Sequence, residues 1–278
     1  MRRLRVYNLH YFQEKESFSW YIQKYINMKN ILLLNKKEGE TPLEALENFR
    51  RKNKKYKDVK MTYAGRLDPL VSGLLLVLVG DNTKEKEKYL GLSKEYKFEV
   101  LFGFSTDTYD ILGKVIKVAD FKRSITSTEL EKNIRKNLKY FTGKFIQKYP
   151  MYSSKTIDGK PLFTYARKNL KVERPSHEVI VENLKFIRSK TISAEKFLKN
   201  IERRVAKVRG DFRQKEILKI WRKKLNVKHR VFNIGSFIIR CGGGTYVRSI
   251  ANDLGEKIGI PSLAFSIKRT KIGKYVIQ

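Results

Sequence analysis

A chain of 278 residues, 41% apolar and 12% aromatic, can build one large core, and its 61 Lys and Arg against 28 Asp and Glu leave a net charge of +33. Such an excess points to a polyanionic partner, with nucleic acid (a ribosome-bound role included) first and an anionic membrane surface second. The single Cys241 excludes a disulfide framework and suggests a reducing, cytoplasmic setting, three scattered histidines (His10, His177, His229) exclude a Cys/His zinc site, and no apolar run reaches the ~20 residues of a membrane helix.

In chain order, residues 1–29 are basic and aromatic with no clean period. They read as an extension, either an RNA-binding arm or a helix packed on the domain, and Met28 offers an alternative start. The opening Met1-Arg2-Arg3-Leu4-Arg5 has the charge of a secretory leader, but no apolar stretch follows it. From residue 30 to 278 the pattern is that of one compact domain of mixed α and β elements. Ile31–Leu34 is its first core strand, and Pro42–Asn53 is a helix with proline at its start. A basic connection over 52–60 leads to a turn at Gly65–Pro69 and the apolar strand Gly73–Val79. Tyr96–Phe104 and Gly113–Val118 alternate as strands around a polar loop, Ser105–Leu112, and Thr128–Tyr140 is helical. The stretch 194–230 is strongly basic, with Ile201, Val205, Phe212, Leu218 and Trp221 at loose helical spacing; it reads either as a solvated helical hairpin or as an RNA-facing helical insertion. A strand around Phe237–Ile239 and a helix over Ile250–Ile258 follow.

Three segments can carry chemistry. Tyr63-Ala64-Gly65-Arg66-Leu67-Asp68-Pro69-Leu70-Val71-Ser72-Gly73 places an aspartate before proline, where the backbone is held out of the helical region, between glycines that permit a sharp turn. Taken alone, Asp68 is a turn former or a carboxylate projected from a rigid loop. Arg240-Cys241-Gly242-Gly243-Gly244-Thr245-Tyr246-Val247-Arg248-Ser249 sits at a strand-to-helix junction, where glycines let a bulky ligand approach and a helix start favours anions. Arg248 there can pair with a carboxylate or a phosphate, or form an ordinary surface salt bridge. Tyr149-Pro150-Met151-Tyr152-Ser153-Ser154-Lys155, continuing to Tyr165-Ala166-Arg167, interleaves aromatic and basic residues as suits looped or single-stranded RNA.

In this order the segments resemble the TruB family of tRNA pseudouridine synthases, over about residues 31–274. Gly65–Gly73 resembles the family's G-x-L-D-P-x-A-[ST]-G, with the departure in Val71-Ser72, where Val71 stands in place of the alanine. Gly80-Asp81-Asn82-Thr83-Lys84, Lys94-Glu95-Tyr96, Thr106-Asp107-Thr108-Tyr109-Asp110-Ile111-Leu112-Gly113, Tyr152-Ser153-Ser154 and Gly244-Thr245-Tyr246-Val247-Arg248 resemble its further signatures.

The resemblance implies a catalytic domain over 30–278 of α+β class with the pseudouridine synthase fold, a mixed and mostly antiparallel sheet flanked by helices, here with the basic helical insertion at about 194–230. It implies isomerisation of uridine 55 in the T-arm loop of tRNA after base flipping, with no cofactor and no metal. Asp68 would be the nucleophile or base, and attack at C1′ and abstraction of a 2′ proton both stay open. Arg248 would keep Asp68 ionised, and Tyr96 would stack on the uracil and help remove the C5 proton. Leu67 and Val247 would shape the pocket, and Tyr63, Arg66, Lys84, Tyr152 and Lys155 would contact substrate. Two departures stand out: Tyr63-Ala64-Gly65 replaces the family's His-x-Gly, removing an imidazole, and Lys36-Lys37-Glu38-Gly39-Glu40-Thr41-Pro42 lacks the proline and serine of its first-strand motif. The chain ends at Gln278, so the family's C-terminal RNA-binding domain is expected to be absent or vestigial, with the basic 194–230 stretch supplying part of its work. A monomer without an obligate protein partner is expected. The competing readings are a non-catalytic RNA-binding protein or tRNA chaperone, which would not need Asp68, Tyr96 and Arg248 together, and a synthase acting on rRNA or under a guide RNA.

Overall fold

The most apolar segment of the chain, β3 (Val71–Val79), is buried along almost its whole length and becomes an inner strand of a nine-stranded sheet. Residues with both faces covered can be apolar at consecutive positions, which is why Leu74 to Val79 show no alternation. The computed structural model describes residues 29–120, 125–227 and 229–277; the expected N-terminal extension, apart from its last residue, lies outside them.

β1 (Ile31–Lys36) pairs antiparallel with β3, as does the short β2 (Met61–Tyr63). The main order runs β1, β3, β12 (Ser262–Ile272), β4 (Lys94–Phe102), β11 (Val231–Cys241), β10 (Ser176–Ser193), β7 (Gly143–Lys148), with β13 (Tyr275–Val276) on β12. Among the described residues, β3–β12 is the one parallel pairing within this sheet. Two small hairpins lie outside the sheet: β5 (Phe104–Thr106) with β6 (Val115–Val118), and β8 (Thr156–Ile157) with β9 (Lys160–Pro161). The result is the expected mostly antiparallel sheet flanked by helices.

Strand alternation sorts the helices onto two faces. Phe98, Val100 and Phe102 of β4 pack beneath α3 (Ser127–Asn137) and α7 (Val247–Ile258). Leu101 points the other way, into a cluster with α5 (Ala194–Val205) and α6 (Gln214–Lys224). α1 (Pro42–Lys52) covers β1 and β3 and starts with a reciprocal cap: Thr41 Oγ1 accepts from the Glu44 N–H, and Glu44 Oε2 accepts from the Thr41 N–H at 2.7 Å. Two short helices, α2 (Lys86–Gly91) and α4 (Leu162–Arg167), lie beside the site described below.

The structure adds to the sequence reading in two places. The polar loop read at Ser105–Leu112 begins in β5, and Thr106, Thr108, Ile111 and Leu112 within it are all buried. The basic stretch at 194–230 forms two helices, and one side of each joins the core rather than the solvent. Phe197, Ile201, Ile217 and Trp221 are fully buried, and the Trp221 indole N–H donates to the Ile111 carbonyl at 3.2 Å. At roughly 2 kcal/mol for each such side chain, burial exceeds the few tenths of a kcal/mol that each like-charge pair costs on a helix surface, so the pair is held as core.

Candidate active site

The loop between β2 and β3 carries Asp68 and is fixed from three sides. The Pro69 carbonyl accepts from the Gly39 N–H at 2.9 Å and from Lys36 Nζ at 3.1 Å. Lys36 is fully buried at the end of β1, and it also donates to the carbonyls of Lys37 and Glu40. Burial pushes its ammonium down to about 8, against the pull of Glu40 and Asp68. Arg269 of β12, also fully buried, donates from Nε to the Leu74 carbonyl at 2.8 Å and from its other arm to the Gly65 carbonyl at 3.3 Å.

Arg248 stands in the first turn of α7 and uses its whole guanidinium. Nε donates to Asp68 Oδ2 at 2.8 Å, and the two terminal nitrogens donate to the Thr108 and Tyr152 carbonyls at 2.7 Å each. A planar fork suits three acceptors in fixed directions. The two partners differ in solvation: the Arg248 side chain is 3% exposed, whereas that of Asp68 is 40% exposed and open to a ligand. Behind them lies a second carboxylate. Asp110 accepts from the Thr108 hydroxyl at 2.7 Å and the Leu112 N–H at 2.9 Å, and burial pushes its carboxyl up to about 6 although Arg248 pulls it down.

These groups open onto a cavity of about 820 Å³. Tyr63, Arg66, Leu67, Asp68, Tyr96, Tyr152, Val247 and Arg248 all line it, so eight of the ten residues expected from sequence meet at one place. Lys84 and Lys155 do not line it. Lys84 is exposed and pairs with Asp81 at 2.7 Å one turn away, and Lys155 lies over the Tyr149 ring at 5.4 Å. Tyr96 comes from β4 and neighbours Arg269 across the β4–β12 ladder; burial raises its phenol, which is therefore protonated at neutral pH. Gly242 and Gly244 line the cavity as expected. Gly243 serves packing instead, since a Cβ there would lie 2.4 Å from the Leu90 carbonyl oxygen. Cys241 is buried, its thiol pushed up to about 11, and offers no competing nucleophile. Among the described residues no three His, Cys, Asp or Glu side chains cluster as a metal site requires.

Several contributors escaped the sequence reading. Thr108, Asp110 and Tyr246 stood inside quoted motifs, and their signal was available. The Tyr246 backbone is clamped by Gln147, which accepts from its N–H at 2.8 Å and donates to its carbonyl at 3.2 Å, and this sets the start of α7. Lys36, Arg269 and Arg213 had no local signal beyond being basic.

A family model described as the TruB family pseudouridylate synthase N-terminal domain matches residues 51–202. The chain belongs to the TruB family. TruB relatives include the tRNA pseudouridine synthase B of Lactobacillus gasseri, 32% identical over 248 residues, covering 89% of this chain and 70% of that protein. The protein of the same name from Bacillus cereus is 31% identical over 251 residues, covering 90% and 68%. Among solved structures, a chain of a Cbf5–Nop10–Gar1 complex superposes with a TM-score of 0.51 at 17% identity. That match covers 89% of this chain and 50% of the other, so this TruB protein spans about half the length of the solved chain, and the likeness concerns the fold.

Proposed function

We propose that the protein isomerises a uridine of tRNA to pseudouridine, at position 55 in the T-arm loop. The observation that carries this reading is the Asp68–Arg248 pair at the floor of an aromatic and basic cavity in a TruB chain. The reaction breaks the N1–C1′ bond, turns the uracil and forms a C5–C1′ bond; C5 gives up its proton and N1 takes one up in exchange, so the product is an isomer of the substrate. It needs a carboxylate beside C1′, as nucleophile or base, where it also stabilises oxocarbenium-like charge. Asp68 meets this requirement because one face of its carboxylate is held by Arg248 and the other faces the cavity. Tyr96 provides a ring for the uracil and a protonated phenol able to relay the C5 proton. Leu67 and Val247 shape the pocket, and Tyr63, Arg66 and Tyr152 surround the nucleotide. The basic cavity rim favours a flipped nucleotide over the stacked one. On this reading the enzyme works in the cytoplasm as a monomer, without cofactor, metal or obligate protein partner. Among the described residues no helix is long and apolar enough to cross a membrane.

The test is to incubate the protein with unmodified tRNA and rRNA transcripts and map pseudouridine by carbodiimide adducts that stop primer extension. A stop at the T-arm uridine supports the reading; a stop confined to rRNA transfers the activity to another substrate. Tight tRNA binding with no stop favours the non-catalytic RNA binder.

A further inference from the structure

The α5–α6 pair carries charge that the isomerisation does not use. Residues 194–230 hold fourteen Lys or Arg and four Asp or Glu. Apart from Arg204, the buried sides of both helices are apolar, so most of the remaining charge is displayed outward. On α6, Lys215, Lys219 and Lys223 are exposed at positions i, i+4 and i+8 and form a single stripe. The nearby carboxylates are engaged elsewhere: Glu216 pairs with Lys114 at 2.6 Å, and Glu202 pairs with Arg222 at 2.8 Å. Like charges at this spacing weaken a helix, so the stripe does not serve stability.

The pair is fastened to the catalytic cavity. Arg213, in the joining loop, has a left-handed backbone with φ of 62°, a conformation that non-glycine residues adopt at a cost. It is held there by Asp107 at 2.7 Å and by the Tyr152 ring 4.3 Å from its guanidinium, and it lines the cavity. On the opposite side Arg204 pairs with Glu38 at 2.8 Å. Gly39 lies so close to Lys207 that a Cβ would sit 2.5 Å from the lysine Cβ. A ligand held by the stripe is therefore in fixed register with Asp68. The match to the family model ends at residue 202, inside α5, so Arg213 and the stripe fall outside the matched segment.

We infer that the α5–α6 pair is an RNA-backbone-binding arm, which holds the sugar-phosphate chain of the same tRNA whose uridine enters the cavity. The identity of that RNA rests on the synthase reading; the surface itself is read from charge and placement. Phosphate binding by lysines is salt-dependent and independent of sequence, whereas the cavity selects the nucleotide.

The test compares two triple variants of the full chain. One is Lys215→Gln, Lys219→Gln, Lys223→Gln. The other is Lys132→Gln, Lys136→Gln, Lys139→Gln, which removes equal charge from α3 and the turn after it, on the other face of the sheet. Filter retention of an unmodified, labelled tRNA transcript gives Kd from 0.05 to 0.3 M salt, and thermal melting checks both folds. The α6 triple should raise Kd about tenfold or more near 0.15 M salt and flatten the slope of log Kd against log salt by about two to three. The α3 triple should shift Kd by less than about threefold. Equal losses from both triples would mean that only net charge counts, and an unchanged α6 triple would mean that RNA does not touch the arm; either overturns the inference. Because binding is read without turnover, failure of the synthase reading shows separately, as an unaltered protein that binds tRNA but forms no pseudouridine.

Discussion

Nε of Arg248 donates to Oδ2 of Asp68 at 2.8 Å, joining residues 180 apart in sequence, and the same guanidinium holds the carbonyls of Thr108 and Tyr152. One side chain thus positions the carboxylate and ties together two of the loops that wall the cavity.

Replacing Arg248 should therefore affect both fold and reaction. Arg248→Ala leaves buried carbonyls without donors and should destabilise the protein by on the order of 2 kcal/mol, measured by urea unfolding. Arg248→Lys keeps the charge but lacks the fork, and should lower kcat by about a hundredfold or more with a smaller change in KM. A lysine variant with full kcat would contradict the positioning role.

Lys36 acts on Asp68 through the backbone. Lys36→Met removes the donor to the Pro69 carbonyl while keeping much of the side-chain volume. It should lower the melting temperature by several degrees and kcat by about tenfold to a hundredfold, leaving tRNA Kd nearly unchanged. A loss of binding with kcat retained would show that the loop is not the target.

Tyr96 offers a ring and a hydroxyl, and the two separate. Tyr96→Phe keeps the stacking surface, so Kd should hold while single-turnover rates fall by about tenfold or more. Tyr96→Leu should lose both. Equal rates for Tyr96 and the Phe variant would leave the phenol with no part in moving the C5 proton.

Asp110 has a pH signature. Burial raises its carboxyl from an ordinary value near 3.8 to about 6 in the folded chain. The folded state therefore binds more protons than the unfolded one between those values, and stability falls as pH rises through that window. Asp110→Asn should lack this component: relative to the variant, the parent should lose unfolding free energy between about pH 4 and pH 6. A difference that stays flat with pH would contradict the burial of a charged Asp110.

The sequence disclosed those parts of the site that reside in short loops with unusual backbone demands. Asp68 before a proline, between glycines, and Arg248 just past a glycine run are both visible locally. Apolar strands such as Val71–Val79 were equally plain. The supports of the site were hidden, because Lys36 and Arg269 are single basic residues on strands among 61 Lys and Arg. Their role appears only when β1 and β12 are laid against the ends of the Asp68 loop. In the basic 194–230 stretch the charge and the helical spacing are plain in the sequence, while the packing set by Phe197 and Trp221 depends on strands far away in the chain.

The most direct test of the account is release of tritium from tRNA carrying 5-tritiated uridine, by the protein and by its Asp68→Asn variant, with tRNA binding measured alongside. The account predicts release by the unaltered protein, loss of at least about a thousandfold in the variant, and closely similar binding by both. Release by the variant at a comparable rate would contradict the assignment of Asp68, and with it the reading of the cavity as a pseudouridine synthase site.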